Sequence, residues 1–231
     1  MQSTAFQEVV EGISEACEAL TIPVVGGNVS FYNESRGADI DPTPVIGMLG
    51  LVDSLTRRPP GVGLVEGGRL VLIGTTEPEL SGSRWARAKG HRGGRLPQLD
   101  LAAHTRVADA VRQLVGAGLL QGAHDVASGG LGVALAEMAV RSGVGFSVAR
   151  VAGAADLFSE SPSRVVVCVE PDRLTTVLDV CENAGVPTAR IGVAAGDRLT
   201  VKDLVDVDLA DATSAWRDRL PNALGSGTVA G

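Results

Sequence analysis

Thr21-Ile22-Pro23-Val24-Val25-Gly26-Gly27-Asn28-Val29-Ser30-Phe31-Tyr32-Asn33-Glu34 is the stretch around which this chain is organised. The β-branched run at 22–25 reads as a buried strand entered from a helix. Paired glycines end it; they are expected to supply positive φ and to leave no Cβ in the path of a ligand. Peptide N–H groups at such a turn can converge on a phosphate oxygen. Asn28 then offers a neutral oxygen of the kind Mg²⁺ accepts beside phosphates. In an extended chain Ser30 points to the same side as Asn28, because strand side chains alternate. On spacing alone, a plain Gly-Gly hairpin with Asn and Ser as turn formers accounts for the same residues.

Before this stretch, Phe6, Val9, Val10, Ile13, Ala16, Cys17 and Leu20 recur every three or four positions, which predicts an amphipathic helix over 4–20. Ser3 or Thr4 can cap it. After it, 33–41 reads as a polar loop, and the apolar run 45–52 as a strand covered on both faces. Arg57-Arg58-Pro59-Pro60-Gly61 and then Glu66-Gly67-Gly68 form the best linker. A partial domain is therefore expected over 1–60, a second domain over 61–222 and a flexible tail over 223–231.

The second domain opens with a clean strand at 69–74. Residues 81–97 read as a glycine-rich basic loop, solvated or facing phosphate or an acidic surface. A helix is expected over 100–114, with His104 and His91 assigned no role. Ala123-His124-Asp125-Val126-Ala127-Ser128-Gly129-Gly130-Leu131 opens a further helix running to about 142, with Ser128 as an N-cap candidate. Glycines there leave N–H groups free for an anion; a tight strand-to-helix turn needing Gly129 and Gly130 only for packing competes with that reading. Ser159 and Glu160 either reach a site or pin their loop. Strands at 146–151, 164–170, 186–193 and 198–201, and helices at 172–184 and 210–220, complete the pattern. Strands and helices mix without strict alternation, so the expected class is α+β, with mixed β-sheets flanked by helices.

Composition sets outer limits. The chain is 45% hydrophobic and only 3% aromatic, so its core must be built from Val, Leu, Ile and Ala. A formal charge of −7 argues against a general nucleic-acid surface. Cys17, Cys168 and Cys181 lack metal-type spacing and read as core thiols in a reducing compartment. No apolar run reaches the ~18 residues of a membrane span, so a soluble, cytoplasmic protein is expected.

The runs GGNVSFYNES (26–35) and IDPTPVIGMLGLVD (40–53), with HDVASGGLGVALAEMA (124–139), LFSESPSRVVV (157–167) and GVPTARIGV (185–193), resemble the phosphoribosylformylglycinamidine synthase family, large synthetase subunit. Together these runs span nearly the whole chain. The wider superfamily, including aminoimidazole ribonucleotide synthetase, shares the architecture without the FYNE string. The resemblance implies the end of a second A domain followed by a second B domain, an aminoimidazole-ribonucleotide-synthetase-like C-terminal domain. It implies ATP and Mg²⁺ as cofactors, with Gly27 (beside Gly26) at ATP, Asn28 on Mg²⁺ and Ser30 at the ribonucleotide. The implied reaction is ATP-dependent conversion of formylglycinamide ribonucleotide to its amidine, with ammonia from a glutamine amidotransferase subunit and with a small accessory subunit. Where the family motif reads HD-x-S-D-G-G-L, this chain has Ala127 and Ser128, which weakens any metal or base role there and leaves His124 and Asp125 as secondary candidates. No catalytic residue is assigned, and the 231 residues alone are expected to be inactive. A non-catalytic truncated fragment or folding and dimerisation module, and another ATP-using member of the superfamily, are the alternatives.

Overall fold

Leu70, Val71, Leu72 and Ile73 are all buried, and that two-sided burial locates the core of the unit that contains them. The computed structural model describes residues 2–29, 34–40, 43–52, 54 and 57–225, and divides into two units, Met1–Thr56 and Arg57–Gly231.

The first unit holds helix α1 (Gln2–Leu20) and a hairpin of β1 (Glu34–Ser35) and β2 (Ala38–Asp39). Arg36 and Gly37 both take positive φ at its turn, the geometry that matches strand twist in a two-residue hairpin. Residues 22–25 and 45–52, expected as buried strands, are irregular, and all but the half-buried Ile22 are exposed: Val25 is 94% and Val45 92% exposed. A strand needs a neighbour for its N–H and C=O groups. Among the described residues of this unit, only β1 and β2 find one.

The second unit contains β3 (Arg69–Ile73), α2 (Arg84–Ala88), α3 (Leu101–Ala117), β4 (Gly122–Asp125), α4 (Gly130–Ser142), β5 (Phe146–Val148), α5 (Ala154–Phe158), β6 (Val165–Val169), α6 (Leu174–Asn183), β7 (Thr188–Ala194), β8 (Arg198–Val201), β9 (Val205–Asp208) and α7 (Leu209–Ala223). Seven strands form one sheet in the order β4-β6-β3-β7-β5-β8-β9, antiparallel except for the parallel pair β5–β8. Alternation along β3 sends Leu70 and Leu72 to one face, against Leu131, Leu135 and Met138 of α4. Val71 and Ile73 go to the other, against Val107 and Leu114 of α3 and Val177 of α6. Each such side chain, fully buried, contributes roughly 1.5–3 kcal/mol. The α+β class with a mixed, helix-flanked sheet is thus observed.

Local details differ from expectation. The loop at 81–97 contains α2, capped by Ser83, whose Oγ accepts from Ala86 N at 3.1 Å. The segment from Ala123 is strand before it is helix, because β4 pairs with β6. Strand β9 was not expected; it pairs with β8. The last helix runs on to Ala223, and 226–231 of the expected tail lie outside the described residues. Among the described residues, no helix is long and apolar enough to cross a membrane.

Candidate functional site

In the first unit, Gly26, Gly27 and Asn28 lie on exposed, irregular backbone, and Ser30 lies outside the described residues. Neither glycine has positive φ, so the expected left-handed turn does not form; the preceding residues have no ladder to fold back upon. A Cβ added at either glycine meets nothing within 4 Å. Nothing among the described residues of this unit requires their smallness, and a group can approach this stretch of backbone closely. Among the described residues no cluster of three His, Cys, Asp or Glu side chains could hold a metal ion. Asn28 fits as one oxygen donor for Mg²⁺, whose other ligands would be phosphate, water or groups outside this set.

The second unit brings its candidates together where β4 ends and α4 begins. Gly129 is in the left-handed region (φ 86) and Gly130 likewise (φ 68). A Cβ on Gly130 would stand 2.5 Å from the Ser159 carbonyl oxygen and 2.8 Å from that of Leu157. Both glycines are therefore demanded by the backbone itself. Ser128 does not cap α4: the N-cap residue is Gly129, with no side-chain cap. Its N–H donates to Glu160 Oε1 at 2.8 Å, and the Gly130 N–H donates to the Ala127 carbonyl at 2.9 Å. Two of the amides expected to await an anion, those of Gly129 and Gly130, thus donate within the protein, one of them to a carboxylate placed where a helix start favours negative charge.

Glu160 Oε1 also accepts from Arg84 N at 2.7 Å, so one oxygen ties the starts of α2 and α4 to the 159–163 loop. That loop is fixed from below. The buried Ser159 and Ser161 hydroxyls donate to the Glu77 carbonyl at 2.6 and 2.8 Å. Arg164, 2% exposed, donates to the carbonyls of Ser161 (3.1 Å) and Ser159 (2.7 Å) and to Thr76 Oγ1 (3.0 Å). Burial pushes its guanidinium down to about 10, with Asp156 opposing the shift, so it stays charged at neutral pH. His104 Nδ1 lies 3.0 Å from Ser163 Oγ. An open groove of about 630 Å³ runs past His104, Arg112, Asp125, Ser128, Glu160 and Ser163. His124 is clamped between Glu137 Oε2 (3.0 Å) and the Asp125 carbonyl (2.7 Å), which joins β4 to α4. Sequence reasoning named Glu160 but not Arg164, Thr76 or Glu77. An arginine at the mouth of the run Val165–Val169 was the one available signal.

Two family models match in order: AIR synthase related protein, N-terminal domain, over residues 1–52, and AIR synthase related protein, C-terminal domain, over 65–203. The chain belongs to the AIR synthase related protein family. Within that family it is 44% identical, over 222 residues, to the phosphoribosylformylglycinamidine synthase subunit PurL of Nocardioides sp., covering 95% of this chain and 29% of the relative. The corresponding subunit of Thermobifida fusca is 42% identical over 227 residues, covering 96% and 30%. The chain thus spans about 30% of the length of these relatives. Thermotoga maritima PurL complexed with FGAR shares the fold, with a TM-score of 0.58 at 19% identity, covering 67% of this chain and 29% of that one. The same protein complexed with ATP gives 0.54 at 18%, covering 67% and 27%.

Proposed function

We propose that this chain acts as part of a phosphoribosylformylglycinamidine synthase, an ATP-dependent carbon–nitrogen ligase. The observation that carries this reading is the 44% identity to a PurL subunit across 95% of the chain. In the proposed reaction, ATP phosphorylates the formyl amide oxygen of formylglycinamide ribonucleotide. Ammonia then adds at that carbon and phosphate leaves, giving the amidine. Ammonia would come from glutamine on an amidotransferase subunit, with a small accessory subunit in the complex; a solved relative is titled PurLQS from Thermotoga maritima. The assembly would be cytosolic.

Within it, the Gly27 N–H would face ATP, with Gly26 beside it, Asn28 would hold Mg²⁺ and Ser30 would contact the ribonucleotide. Mg²⁺ would offset phosphate charge. The chain's own contribution is positional: bare backbone at Gly26–Gly27 lets a phosphate approach, and the Asn28 side chain follows at once on the same exposed segment. In the second unit the Glu160 bracket keeps the starts of α2 and α4 at fixed separation. His124, Asp125, Gly129 and Gly130 are assigned to that scaffold, while Ser128 stays exposed on the groove as a ligand-binding candidate.

The test is a chimera in which this chain replaces the matching segment of the Nocardioides subunit. Ammonia-dependent amidine formation by the folded chimera is expected, and Asn28→Ala should raise the Mg²⁺ needed for half-maximal rate. A chimera that folds and binds formylglycinamide ribonucleotide yet makes no amidine refutes the reading.

A further inference from the structure

Residues 84–95, Arg-Trp-Ala-Arg-Ala-Lys-Gly-His-Arg-Gly-Gly-Arg, carry five cations, one histidine and no acid. Arg84, Arg87, Lys89, His91, Arg92 and Arg95 are all exposed, and among the described residues none of them forms an ion pair. The setting makes this unusual. The chain's charge of −7 lies wholly in residues 1–56, where eight acids face the single cation Arg36. The second unit has 19 cations and 19 acids, so its surface outside this loop is net acidic by five. Solvated surfaces normally intersperse the two signs; a compact patch of one sign sets up a steering field.

The patch is also held in shape. Ser83 caps α2, Glu160 holds Arg84 N at 2.7 Å, and His91 N donates to the Ala86 carbonyl at 2.9 Å. The His91 ring stacks on Trp85 (centroids 6.5 Å apart, planes at 10°), and Lys89 Nζ lies 5.8 Å from the same ring centroid. Gly94 packs so closely on Ser81 that a Cβ there would fall 1.9 Å from Ser81 Oγ. A pre-shaped loop loses less entropy on binding than a mobile one.

We propose that this loop is a docking surface for an acidic protein segment, a run or helix face bearing about four or five carboxylates. Four of its five cations are arginines, whose planar forks pair bidentately with carboxylates. A nucleic acid fits less well. Its phosphates continue every few ångströms and would run from the patch onto acidic surface. The loop's one aromatic ring is engaged with His91 and Lys89 instead of offering a stacking platform.

The test uses the full chain and a fluorescein-labelled oligoglutamate, with oligoglutamine and a thymidine oligonucleotide of equal length as the other arms, read by anisotropy. Oligoglutamate should bind at about 50 mM salt and weaken at least tenfold by about 300 mM. Quadruple Arg84→Gln, Arg87→Gln, Arg92→Gln, Arg95→Gln should weaken it by about tenfold or more. Arg217→Gln with Arg219→Gln, on the exposed face of α7, should leave it unchanged. Circular dichroism melts confirm folding, and the corresponding Arg→Lys quadruple, keeping the charge, should retain binding. The proposal is overturned by absence of oligoglutamate binding, by equal binding of oligoglutamine or of the quadruple Gln variant, or by tighter binding of the oligonucleotide.

Discussion

Replacing Glu160 by alanine removes the one acceptor shared by Gly129 N (2.8 Å) and Arg84 N (2.7 Å). A hydrogen bond to a charged group contributes roughly 1.5–3 kcal/mol net, and a carboxylate at a helix start adds about 0.3–1 kcal/mol. Two such bonds set a ceiling of about 6–7 kcal/mol. The site is only partly buried, so water reaches the freed amides, and Arg84 itself is exposed. Discounting for that, Glu160→Ala should cost about 2–3 kcal/mol, while Glu160→Gln, which keeps an acceptor oxygen and loses the charge, should cost about 1 kcal/mol. Urea unfolding followed by circular dichroism measures both, and hydrogen exchange should quicken at Gly129 and Arg84 in the alanine variant alone. If both substitutions shift stability by less than about 0.5 kcal/mol, the carboxylate is a bystander and the bracket is an incorrect description.

Arg164→Met should destabilise by on the order of 3 kcal/mol, because it strips donors from two buried carbonyls and Thr76 Oγ1; urea midpoints decide this. Gly130→Ala should cost at least about 2 kcal/mol through φ strain and backbone clash, whereas Gly26→Ala and Gly27→Ala should leave the thermal midpoint unchanged; a reversed order in melts of the three variants would falsify the packing account. Burial raises the Cys168 and Cys181 thiols above the ordinary value of about 9. The unfolded chain then releases protons first, so stability is full below pH 9 and falls above it; Cys168→Ala with Cys181→Ala should flatten that decline in a pH series of urea midpoints. The 231-residue chain alone should show no ammonia-dependent amidine formation, a direct assay whose positive result would show that the remaining 70% or so of the relatives is dispensable.

Legibility followed the range of the interactions involved. Helix α1 was readable because its apolar period is local. The buried run Arg69–Ile73 was readable because both faces are apolar, and an α+β class followed from element order. The strand character of Gly122–Asp125 was hidden, since its ladder partner Val165–Val169 lies some forty positions away and its own residues are Gly, Ala, His and Asp. The paired glycines show the same division. At 129–130 both glycines take positive φ, with Gly129 against the Val133 side chain and Gly130 against the Leu157 and Ser159 carbonyls, whereas at 26–27, where sequence expected it, neither glycine has positive φ and the backbone is open.

By itself the sequence determined which segments are apolar, which repeat with helical or strand period, and which motif strings mark the family, because all of these are properties of neighbouring residues. Only the tertiary structure decided that Glu160 fills the start of α4, that Arg164 lies buried and reaches Thr76 Oγ1, and that the five cations of residues 84–95 stay exposed without an ion pair among the described residues. Those facts depend on the contacts Gly129–Glu160 and Arg164–Thr76, 31 and 88 positions apart, or on which surfaces remain uncovered, although Arg164 meets the Ser161 and Ser159 carbonyls only three and five positions away. Pairing and exposure of that kind are fixed when the sheet closes over its helices, and no local pattern encodes them.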